Sequence, residues 1–309
     1  MHQQIRHMTR TLCLLLGIVA AAWGQQSAPL RENPAVFLVG SIHNSHFQDP
    51  PRYSIQDLKA QVLALNPDLI CGEITPEAYQ QPLEGYFPPE ASFLDEVARE
   101  HTIRFAAIDW RMDSARQSDA EAAEPPSVKE KAKAHAERLM GQIKAFTGDS
   151  LYDFLHGPEC VSAIDALYEQ IKGENTVSDI AAGSWHERNR RMAANCLKAA
   201  AGARRIVVVA GVDHVPQLRR QFGALGIATQ IPPRHFTPAG QGQVSSAVLT
   251  RWQRNLDNLR AILSGRVPAS ADALRKVKQS RRIQDLEEAI RLYSRPAAKR
   301  PDAGTPGRS

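Results

Sequence analysis

A short apolar run that ends in glycine and presents a histidine three residues later occurs twice in this chain, about 170 residues apart. The first is Val36-Phe-Leu-Val-Gly40-Ser-Ile-His43; the second, much later, is Arg205-Ile-Val-Val-Val-Ala210-Gly211-Val-Asp-His214. Runs of β-branched and aromatic residues with no polar side belong to strands buried on both faces. Gly40 ends its strand where a turn or close backbone approach is needed. Each histidine then falls at the carboxyl edge of a sheet, where open α/β sheets hold their ligands. A third run, Leu69-Ile-Cys-Gly-Glu73, ends in a carboxylate. If these strands are neighbours, His43, Glu73 and His214 share one cleft.

The segments between these runs predict an α/β fold, a central mostly parallel sheet flanked by helices, with a helical insertion and a C-terminal helical extension. Ser54 caps a helix whose apolar stripe is Ile55, Leu58, Val62 and Leu65. Asn66-Pro67-Asp68 breaks that helix before strand 69–73, a strand-helix-strand unit with a right-handed crossover. A Pro-rich stretch from Thr75 to Pro89 carries Tyr79, Tyr86 and Phe87, which would either line one wall of a cleft or pack on the surface. Helix 90–101 feeds strand 103–108, which ends at Asp109-Trp110-Arg111. From about 112 to 201 the pattern is helical, with helices at roughly 128–146, 150–156, 160–172 and 177–201, and is read as a lid over the sheet edge. Arg188 lies on the last of these, and His186 reads as a helix-surface residue. A short helix at 215–222 and a strand at 227–231 complete the α/β part, residues 35–231. Two amphipathic helices, about 244–263 and 270–294, follow; they carry no catalytic-looking residues and would pack on the body or form a homodimer contact.

With 309 residues and 43% hydrophobic content the chain can bury a large core. Its formal charge of +5 is confined to the two ends, in Arg6 and Arg10 and in the Arg- and Lys-containing segment 295–309. The body is neutral, which argues against nucleic-acid binding. Residues 1–24 have the basic start, short apolar core and small-residue end of a secretory signal, followed by a linker at 25–34. The expected product is periplasmic or secreted, with no membrane span after signal cleavage. Segment 295–309 is predicted to be disordered. Cys71, Cys160 and Cys196 have no C-x-x-C spacing; Cys160 and Cys196 would either pair or remain buried thiols.

Two imidazoles and a carboxylate supply the minimum donor set for a divalent metal ion, with Asp109, His46 and Asp213 in reserve. A metal-bound water would be the nucleophile of a hydrolase. Without metal, one histidine would act as general base on water while Glu73 orients it and Arg111 or Arg188 faces the developing oxyanion. The substrate would be a peptide or a small molecule. No nucleophile elbow, P-loop, dinucleotide fingerprint or H-E-x-x-H is present.

Gly40-Ser-Ile-His43, Leu69-Ile-Cys-Gly-Glu73, Glu187-Arg188-Asn189 and Gly211-Val-Asp-His214, in this order, resemble the TraB/GumN (Tiki-like) group within the erythromycin esterase, ChaN and Tiki superfamily. The resemblance covers about residues 35–231. It implies an α/β core and an active site at His43, Glu73 and His214 with Arg188 nearby. It also implies three outcomes seen among such relatives: metal-dependent proteolysis, histidine-assisted attack by water, or haem binding without turnover. A catalytically degenerate scaffold is the remaining alternative.

Overall fold

The computed structural model describes residues 33–47, 52–80, 88–238, 240 and 242–294. The predicted signal, most of the linker, the basic tail, Tyr86 and Phe87 lie outside the described residues. Five strands form one all-parallel sheet: β1 (Ala35–Ser41), β2 (Leu69–Gly72), β3 (Arg104–Ala107), β4 (Arg205–Gly211) and β5 (Thr229–Gln230). Their spatial order is β3-β2-β4-β1-β5. Helix α1 (Ile55–Ala64) joins β1 to β2, and α2 (Pro76–Gln80) and α3 (Pro89–Glu100) join β2 to β3. Six helices separate β3 from β4: α4 (Ser114–Ala123), α5 (Pro126–Ala145), α6 (Leu151–His156), α7 (Pro158–Ala166), α8 (Val177–Ala181) and α9 (Trp185–Ala199). Helix α10 (His214–Ala224) joins β4 to β5; α11 (Ser246–Leu263), α12 (Ala271–Gln279) and α13 (Arg282–Tyr293) follow.

The strand sequences explain the layers. Along β1, Phe37 and Val39 point into one apolar cluster with residues of α1, α3 and α11, while Val36 and Leu38 point into another with residues of α9 and α10. Strand β4 alternates likewise, Val207 and Val209 on the first side, Ile206 and Val208 on the second. Helices therefore cover both faces, as the uninterrupted apolar runs require. The chain leaves β1 toward β2 and leaves the adjacent β4 in the opposite direction, toward β5. That reversal opens a crevice above the carboxyl ends of two neighbouring strands.

Ser54 caps α1 as the sequence predicts, and Asp57 returns the bond to form a capping box. Several predicted elements are shorter or broken. The helix expected over 177–201 is interrupted between α8 and α9, where Gly183 (φ 84°) and Ser184 (φ 53°) turn the backbone left-handed. The one expected over 160–172 ends as an α-helix at Ala166 and continues as a π-helical turn, Leu167–Lys172. The segment 270–294 splits at Ser280, whose extended backbone separates α12 from α13. The last strand keeps only Thr229–Gln230 of the predicted five residues before Pro232-Pro233.

The C-terminal helices belong to the main core. Val248, Trp252, Leu256 and Leu259 of α11 form a buried stripe in the same cluster as Phe47 and Leu94. The Trp252 indole N–H donates to Pro89 O and Ser92 Oγ, both at 2.9 Å. The three described cysteines are free; Cys196 Sγ lies 3.0 Å from Cys71 Sγ rather than beside Cys160.

Candidate functional site

Strand β4 is hydrogen-bonded to β1 on one side and β2 on the other, with Ser41 opposite Gly211 and Gly72 opposite Val209. The residues just past these ends are the two histidine turns and Glu73, so the register itself brings them together. His43 Nε2 lies 3.7 Å from Glu73 Oε2, and His214 Nε2 lies 3.8 Å from Glu73 Oε1. The motif glycines make this approach possible. A Cβ on Gly211 would fall 2.5 Å from His43 Nε2, one on Gly40 would fall 3.0 Å from the Val212 backbone, and one on Gly72 would fall 2.5 Å from the Phe105 ring. His43 itself adopts φ 49°, a left-handed conformation a non-glycine residue holds only where its surroundings fix it.

Each histidine is oriented by a different partner. The His43 Nδ1–H donates to Glu90 Oε1 at 2.6 Å, and the Ser41 hydroxyl donates to the same oxygen. Glu90 is buried in the first turn of α3, where the helix N-terminus favours a negative charge. Burial pulls the His43 pKa down, but Glu90 and then Glu73 outweigh it and hold it at about 8. The side chain is 35% exposed and lines the cleft. His214 is held by Asn189: the Asn189 amide donates to Trp185 O at 2.8 Å, which turns its carbonyl oxygen to His214 Nδ1 at 2.7 Å. Nδ1 therefore carries the proton and Nε2 a lone pair. Burial, and next the Arg188 charge, lower the His214 pKa to about 3, which keeps this ring neutral near pH 7. The Trp185 ring stacks on it at 4.2 Å.

Glu73 is not a free ligand. Its Oε1 accepts from Arg188 at 2.6 Å and from Arg111 at 3.2 Å, and its Oε2 accepts the Gly211 N–H at 2.8 Å. Asp109 accepts from Arg188 Nε at 2.7 Å, from Arg111 Nε at 2.8 Å and from the Trp110 N–H. Burial opposes ionisation of both acids, yet His43 and Arg188 for Glu73, and Arg111 and Arg188 for Asp109, keep their pKa values below the ordinary range. The two carboxylates and two guanidiniums form a closed, charge-balanced floor.

This donor set fits a divalent ion poorly. A cation on Glu73 or Asp109 would have to displace guanidinium hydrogen bonds and sit among two fixed positive charges. Among the described residues no group of three or more His, Cys, Asp and Glu is arranged to hold a metal.

Other sequence-selected residues have different places. His46 is fully buried and saturated, its Nδ1–H donating to Tyr53 O at 2.8 Å and its Nε2 accepting from the Ile42 N–H at 3.1 Å. Asp213 is exposed at the cleft mouth. His186 is buried, not on the helix surface; its ring bridges Asp179 at 2.8 Å and Glu169 at 2.9 Å. Tyr79 turns away from the cleft, packing on Phe105 and donating to Asp95. Two residues absent from the sequence argument belong to the site. Glu90 is one acid at the start of α3, with only Pro88-Pro89 before it to mark the spot. Arg282, on α13, lines the cleft and pairs with Asp285 at 3.5 Å. Nothing near it in sequence points there.

The cleft above these residues has a volume of about 530 Å³. Compared with family models, with curated proteins and with solved structures, the chain matches none.

Proposed function

We propose that the protein is an exported hydrolase in which His43 is the general base, working without a metal ion. The observation that carries this reading is the Glu90–His43 pair at 2.6 Å. It fixes the tautomer and aim of the ring, leaves Nε2 toward the cleft, and sets a pKa of about 8 suited to proton transfer near neutrality. In the reaction, Nε2 removes a proton from water as the water oxygen bonds to the scissile carbonyl carbon. The carbonyl oxygen gains negative charge beside Arg111, whose side chain is 27% exposed and lines the cleft. When the bond to the leaving group breaks, the His43 imidazolium returns the proton to it. Arg188 and Asp109 position Glu73 and Arg111, and neutral His214 offers an acceptor lone pair to the water or substrate. The apolar leader at 1–24 supports export.

The test is hydrolysis of an ester and peptide panel by the wild-type protein and His43→Ala, each with and without a chelator. Turnover that survives chelation and falls about 10²–10⁴-fold in His43→Ala is expected. Loss of turnover on chelation would restore the metal-dependent alternative, and no turnover on any substrate would remove the enzymatic reading.

A further inference from the structure

The cleft lining combines two chemically distinct sets of residues: His43, Glu73, His214, Arg111 and Arg188 at the sheet edge, and a run of aliphatic side chains from α5, α6 and the π-helical turn, with Arg52 and Lys144 beside the latter. Ala136, Leu139, Met140 and Ile143 of α5 recur at the i, i+3, i+4, i+7 spacing of one helix face, and all four line the cleft. Leu151 and Leu155 of α6 and Leu167 of the π-helical turn continue this surface. Met140 is 49% exposed, so this stripe is only partly consumed by the protein's own core. A volume of about 530 Å³ lies within the range of small-molecule sites.

From this juxtaposition we infer that the substrate is a carboxylic ester with an unbranched aliphatic acyl chain, the chain lying along the α5–α6 wall and the carbonyl at His43. The inference rests on the hydrolase reading and adds the substrate class. A fatty carboxylate, the product, is complementary to the cleft at both ends: its anionic head meets the Arg111 side of the floor, and Arg52 and Arg282 bring the guanidiniums of the lining to four. A peptide has no such division, because its backbone would place polar groups against the aliphatic wall at every residue.

Two measurements on the full chain test this. The first is calorimetric binding of butanoate and octanoate. Each additional methylene buried on the wall contributes about a fourfold gain, so octanoate should bind on the order of 10²-fold tighter. Met140→Asn and Ile143→Asn, neither in the catalytic floor, should weaken octanoate about tenfold or more and leave butanoate unchanged. Met140 is exposed enough for its variant to fold in any case. The second is kcat/KM for p-nitrophenyl esters from acetate to decanoate, alongside alkyl acetates of matching length. A rise with acyl length until the cleft is filled is expected. Equal binding of the two carboxylates, or a length dependence confined to the alkyl acetates, overturns the inference. Octanoate preference without turnover of any ester would remove the hydrolase reading and leave the apolar subsite standing. Turnover with no length dependence and flat binding would do the reverse.

Discussion

His43 and His214 occupy equivalent places in the same four-residue motif, yet one titrates at about 8 and the other at about 3. The difference lies in what meets the cost of burial: Glu90 and Glu73 outweigh it at His43, whereas at His214 burial and then the Arg188 charge act in the same direction. Such a separation of paired groups assigns the roles of base and neutral partner. The ascending limb of a kcat/KM profile against pH should therefore fall near 8, and Glu90→Gln should move it to lower pH while reducing the plateau. A limb unchanged in Glu90→Gln would break the link between the two side chains. Stability should run the other way. The folded pKa of His43 lies above its unfolded value of about 6.5, so its contribution is complete below that pH and is lost as pH rises through about 8. Denaturant midpoints across this interval should decline as activity climbs. Gly211→Ala supplies a steric test: its Cβ would contact His43 Nε2, and displacing that ring should cost about 10²-fold in kcat with little change in KM.

At the scale of elements, α9 is the most heavily used helix. One turn carries Arg188 to the carboxylates and Asn189 to His214, and the left-handed break at Gly183-Ser184 sets where that turn begins. Arg188→Leu leaves Glu73 and Asp109 short of a buried partner and should destabilise the fold by about 3–5 kcal/mol in urea unfolding. The folded carboxylates titrate below their ordinary range, so their contribution is present above about pH 4 and lost as pH falls through their folded pKa values. The penalty of Arg188→Leu should accordingly shrink in acid. A penalty that stays constant down to pH 3 would mean that the charges are not its source.

Over the whole molecule, the sheet and the C-terminal helices form one structure, since the stripe on α11 fills the core that also receives β1 and β4. Amides of α11 should exchange with solvent only through global unfolding, with protection equal to that of β4, and Trp252→Ala should lower stability by about 3–5 kcal/mol. Exchange of α11 ahead of β4 would make it an appendage. The strands, the glycines near their ends and the Ser54 cap were legible in the chain because each follows from local periodicity and steric demand, while the meeting of His43, Glu73 and His214 was legible only on the condition that their strands be neighbours. The Glu90–His43 pair, Arg282 in the cleft, the breaks in the long helices and the saturation of Glu73 were not. Glu90 is 47 residues from His43, and Glu73 is 115 from Arg188. Short-range pattern carries no information about such distances. A strand's apolar code is written in its own residues, whereas ionisation and hydrogen-bond occupancy depend on the field of every neighbour, and only the folded arrangement of β4 between β1 and β2 decides who those neighbours are.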